Sequence, residues 1–177
     1  MNTRERERMY NIRTGYLAIL AVAIIGFAIW VRGKPMPDNI VAGRYWYFSV
    51  PDGWAIEESG TDTKVLRGPA ESGLAANFAV TNEAFRGSIR EYAVELQPRL
   101  AAVGELYSLV TPFGKGVKAT VRVPGVQVTD EPVMRAVYAF KTGLRQVTVV
   151  TASSPIESWA RNEELFDRTM RGFEVEL

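Results

Sequence analysis

The chain has 177 residues, 47% of them hydrophobic, and balances 21 Lys+Arg against 20 Asp+Glu for a formal net charge of +1. From Arg44 onward the count is 15 basic against 17 acidic residues, a net of −2, so there is no basic field to hold nucleic acid by counterion release. With no cysteine and no histidine, disulfide scaffolds, thiolate chemistry, histidine-held metals and the usual base of a serine triad are all removed.

An enzyme would have to run on carboxylates, lysine or tyrosine alone, and no catalytic residue, cofactor or metal ligand is expected.

Residues 1–13 form an arginine-bearing head, followed by an uncharged stretch over 14–31 whose apolar part runs from Leu17 to Val31. Eighteen residues at ~1.5 Å each cross most of a ~30 Å hydrocarbon core. A buried helix of this length in a soluble protein normally carries a polar stripe, and this one has none. No small-x-small cleavage site follows Val31, so the segment reads as an uncleaved signal-anchor. Arg4, Arg6, Arg8 and Arg13 precede it, against Arg32, Lys34 and Arg44 after it. That bias places the head in the cytoplasm and the C-terminal domain in the periplasm, as in a single-pass inner-membrane protein.

Gly15, Ala18, Val22 and Gly26 fall near one face of that helix at three- and four-residue steps. Small residues let a neighbouring helix approach closely, so this is a candidate packing face toward other integral membrane subunits, though a chance scatter of small residues gives the same pattern. The expected partners are the lipid bilayer and such subunits, and no nucleic acid. Residues 32–43, with two prolines and two glycines, read as a linker to one domain over 44–177.

That domain opens with a strand-type run, Tyr45 to Val50, and a Pro51-Asp52-Gly53-Trp54 turn into a second strand. Lys64–Arg67 and Leu74–Thr81 read as two more. The period then changes. Ile89, Tyr92, Leu96, Leu100 and Val103 recur at helical spacing behind a Ser88/Glu91 capping box, with Pro98 expected to kink or break the helix and Gly104 to end it. Leu106–Val110, Val117–Val123, Val133–Phe140 and Leu144–Thr151 give four further strands, the last two joined at Lys141-Thr142-Gly143. A second capping box, Ser154 to Glu157 with Pro155 at the first helical position, is expected to start a closing helix. Its apolar face is Ile156, Trp159, Phe166, Met170 and Phe173, with Arg161, Glu164, Asp167, Arg168 and Arg171 pointing mainly away. The order implies an α+β fold, one antiparallel sheet covered by helices.

Gly114-Lys115-Gly116 lacks the upstream glycine and following Ser/Thr of a phosphate loop and reads as a tight turn. Asp130-Glu131 and Glu163-Glu164 are adjacent carboxylates that point in different directions on regular structure, so they read as solvated charge.

The Phe48-to-Trp54 opening, the helix containing Glu91-Tyr92-Ala93, the late hairpin and the closing Phe166 with Arg171-Gly172-Phe173 resemble the PsbP-like α/β/α sandwich families over Tyr45 to Phe173. The resemblance implies a non-enzymatic accessory or stabilising subunit docking on a larger membrane assembly, photosynthetic in the eponymous case. The chain departs from the lipoprotein members by having a helix where they have a lipidated cysteine. A membrane-anchored small-ligand or envelope-stress binding protein is the alternative.

Overall fold

The computed structural model describes residues 39–58, 63–69, 75–125 and 131–176. Among these, no helix is long and apolar enough to cross a membrane. The 14–31 stretch, with Gly15, Ala18, Val22 and Gly26, lies outside the described residues, as does Leu74.

The elements in chain order are β1 (Ile40–Ala42), β2 (Trp46–Ser49), β3 (Ala55–Glu58), β4 (Thr63–Arg67), β5 (Asn77–Ala84), α1 (Ile89–Ala101), β6 (Glu105–Phe113), β7 (Gly116–Val123), β8 (Val133–Gly143), β9 (Gln146–Pro155), a 3-10 turn (Ile156–Ser158), α2 (Trp159–Arg171) and β10 (Glu174–Val175). Seven strands form one antiparallel sheet in the order β3-β4-β5-β9-β8-β7-β6, and β1-β2-β10 form a smaller one. The short strands β1 and β10 were not foreseen, because two or three residues carry no readable alternation. Residues 40–42, taken above as linker, pair with Tyr47–Ser49.

Side-chain alternation on the central strands builds two cores. Met134, Ala136, Tyr138 and Phe140 of β8, with Val150 and Ala152 of β9, face β2 and α2. Val137 and Ala139, with Val147 and Val149, face Tyr92, Leu96 and Leu100 of α1. The first core is aromatic: the Phe140 and Phe173 rings stack at 4.2 Å, and Phe78 meets Phe166 edge-on at 5.0 Å. Fully burying each such ring is worth about 1.5–3 kcal/mol. The expected α+β sandwich is therefore present, with two helices packed on the main sheet.

Four local expectations need correction. Ser154 does not cap the closing helix: β9 runs on to Pro155, and α2 begins at Trp159 after the 3-10 turn, with Ser158 at its N-cap making no side-chain cap bond. Ile156 is consequently off the apolar face and 39% exposed. The β8–β9 turn is Leu144-Arg145, two residues later than expected, because β8 continues through Gly143 with a register shift after Lys141. Pro98 neither ends nor breaks α1, which continues to Ala101; the carbonyl it leaves unpaired belongs to Val94, 73% exposed and open to water. The first capping box, by contrast, closes as read, with Ser88 Oγ accepting from the Glu91 amide and Glu91 Oε2 from the Ser88 amide.

Candidate functional site

Each helix is pinned to the sheet by one charged cluster. On the α2 side, Lys118 of β7 pairs with Glu163 and Asp167, each at 2.8 Å, and its side chain is only 13% exposed. Tyr138 of β8 lies across from Lys118 in register, donates its hydroxyl to Asp167 Oδ1 at 2.6 Å, and offers its ring face to the Lys118 ammonium at 5.7 Å. Burial first, and then the bond and charge of Asp167, hold the Tyr138 phenol far above its ordinary pKa. Asp167 therefore turns toward the sheet, where the helical pattern had placed it outward.

On the α1 side, Arg99 clasps Glu83 of β5 through both terminal nitrogens at 2.8 and 2.9 Å, and Tyr92 donates to the same carboxylate at 2.9 Å. The Arg99 bond is the main reason the Glu83 carboxyl sits below its ordinary range. Burial, then the bond to Glu83, pushes the Tyr92 phenol up to about 12. Both clusters hold their tyrosines protonated and their charges paired, so their chemistry is adhesion between layers.

The candidate site is a cleft of about 650 Å³ at the end of the sandwich where α2 begins, lined by Trp54, Ala76 and Leu165 together with Asp52, Glu157, Asn162 and others. Gly68 makes room for it: a Cβ there would lie 2.9 Å from the Trp54 ring. Asn162 donates to Ser154, which the capping pattern had assigned otherwise, and to Ser158. The apolar wall with a charged rim can admit an amphiphilic molecule. Nothing in the sequence marked it, because its lining comes from five separate stretches of chain.

The Glu163-Glu164 pair divides as its spacing implied, but only in part as solvated charge. Glu163 is spent on Lys118, while Glu164 pairs with Arg168 at 2.8 Å on the exposed face. Glu131 lines the cleft, and Asp130 lies outside the described residues. Gly114-Lys115-Gly116 is the tight β6–β7 turn, with Gly114 at φ +54°. Among the described residues, no three acidic, histidine or cysteine side chains gather where they could hold a metal ion.

No protein-family model matches this sequence, and no curated protein does. Solved structures do. LpqN of Mycobacterium tuberculosis, described as involved in cell envelope biogenesis, matches at TM-score 0.56 and 8% identity, over 85% of this chain and 96% of that one. The Saccharomyces cerevisiae Ran-binding protein Mog1p matches at 0.54 and 14% identity, over 80% and 96%. Cyanobacterial PsbP (CyanoP) from Synechocystis matches at 0.51 and 17% identity, over 81% and 98%. The chain spans 46% of the length of a further match, a Bacteroides thetaiotaomicron protein. These likenesses show a PsbP-like fold, as the resemblance over Tyr45 to Phe173 implied; at such identities they carry the fold and not an activity.

Proposed function

We propose that this chain is a non-catalytic accessory subunit of a multisubunit membrane assembly, held to the bilayer by residues 14–31 and presenting its α+β domain on the outer side. The observation that supports this most is how the domain uses its partly buried charges. Lys118, Glu163, Asp167, Glu83 and Arg99 are all paired across the helix–sheet seams, which suits a rigid bracing module. The fold it shares with CyanoP and LpqN is compatible with such a role. Carbonate-washed membranes should retain the full chain, protease added to spheroplasts should degrade the domain, and mild-detergent purification should bring larger proteins down at fixed stoichiometry. A chain that purifies alone, or is released by carbonate, overturns the reading.

The cleft beside Trp54 favours one other reading, a membrane-anchored small-ligand or envelope-stress binding protein. Native mass spectrometry separates the two: a solitary chain carrying a reproducible bound mass, lost on Leu165→Trp, supports the binding protein.

A further inference from the structure

At the opposite end of the sandwich from the cleft, the β8–β9 turn carries the most exposed large apolar side chain among the described residues, Leu144 at 92%. Cations lie along the segments tied to it. Arg145 follows it in the turn and its carbonyl accepts from the Phe85 amide, which ties the turn to the segment leading into α1. Arg86 is next along that segment, Arg90 lies on the first turn of α1, and both are exposed. Lys141 braces the turn from beneath, donating to the carbonyls of Phe85 and Leu144 at 2.8 and 3.3 Å and lying 5.5 Å from the Phe85 ring. The acids nearby are Glu91, whose carboxylate is committed to the Ser88 amide, and Glu83, which Arg99 clasps.

We infer that this tip is a docking point for an anionic phospholipid surface, with Leu144 entering the interface and Arg86, Arg90 and Arg145 meeting the phosphates. Charge complementarity selects the occupant: three exposed guanidiniums and one ammonium stand against Glu91, engaged by the Ser88 amide, and Glu83, already paired with Arg99. Shape separates a bilayer from an acidic protein. The tip is a two-residue hairpin turn whose one exposed large apolar side chain is Leu144, not the flat apolar area on which a protein hot spot is built. A single leucine flanked by arginines suits the shallow, laterally smeared headgroup boundary, where each basic residue adds about fivefold to affinity. The inference stands whether or not residues 14–31 span a membrane.

The chain has no native cysteine, so Leu144→Cys can carry a single environment-sensitive fluorophore. The full chain, reconstituted in zwitterionic nanodiscs, is mixed with phosphatidylcholine vesicles or with vesicles containing phosphatidylglycerol. Retention in the nanodisc reads the anchor separately. The label should shift to the blue only with the anionic vesicles and revert in high salt. Val94→Cys on the outer face of α1 should stay silent. In flotation of the otherwise unlabelled chain, Arg86→Gln with Arg145→Gln should weaken vesicle binding roughly 30-fold, and Leu144→Ser about tenfold. Equal emission with both vesicle types overturns the proposal, as does a label that responds to a soluble polyglutamate but not to anionic vesicles.

Discussion

Gly43 and Gly116 are two positions at which a single methyl group tests the packing, one against a side chain and one against backbone. A Cβ on Gly43 would sit 2.3 Å from the Trp46 indole, and one on Gly116 would sit 2.3 Å from the Ala139 carbonyl oxygen. A side chain can swing and a paired strand cannot. Gly43→Ala should therefore cost about 1–3 kcal/mol and Gly116→Ala more, both read from urea midpoints. Protonation offers a second test at this scale. The folded Glu83 carboxyl lies below its ordinary 4.5, so its contribution is full above that value and is lost as pH falls through the lowered pKa. The Tyr92 phenol is raised from 10.0 to about 12, so its contribution is full below 10 and is lost as pH climbs through about 12. The urea midpoint should fall on both flanks. Tyr92→Phe should shrink the alkaline loss without abolishing it, since Tyr138 on the other face is shifted the same way.

Helices were more legible in the sequence than the bonds that seat them. The Tyr92, Leu96, Leu100 stripe and the Trp159, Phe166, Met170 stripe both lie on cores as their spacing required. What periodicity could not show was that Lys118 and Asp167, 49 positions apart, meet across a seam, since a charged residue on a strand reads the same whether it faces water or a carboxylate. The second capping box failed for a related reason: Ser154 belongs to a strand whose alternation outlasts the capping pattern, and its hydroxyl is taken by Asn162 and Ser158. The cleft, assembled from distant stretches, was invisible. Because each seam has its own cluster, the helices should loosen independently. Lys118→Met should speed amide exchange in α2 and leave α1 protected, and Arg99→Ala should do the reverse, each costing roughly 1–3 kcal/mol.

For the whole molecule, the proposed anchor is itself a candidate interface. Gly26→Leu with Ala18→Leu should leave carbonate-resistant insertion intact, because leucine favours the membrane, while reducing the partners recovered in mild detergent by closing the small-residue face. Unchanged recovery would assign all docking to the outer domain. The domain's shape was readable because alternation and helical period each occupy long runs; its likeness to LpqN, Mog1p and CyanoP at 8–17% identity shows how little of that shape depends on particular side chains.

Strand order has a consequence for how the chain comes to be folded. β6, β7, β8 and β9 follow one another in sequence and in space, so they can zip together as successive neighbours. β3, β4 and β5 are made earlier but join the sheet only through β9, and the Asn82–Thr148 bond that helps close this join spans 66 residues. The older half must wait for the younger. During synthesis, β5 is an unpaired edge until residues beyond 146 arrive, exposed to any strand that reaches it first. Pulse-labelled hydrogen exchange during refolding should protect β6–β9 amides before those of β3–β5, and a chain cut short before β9 should aggregate through its first half.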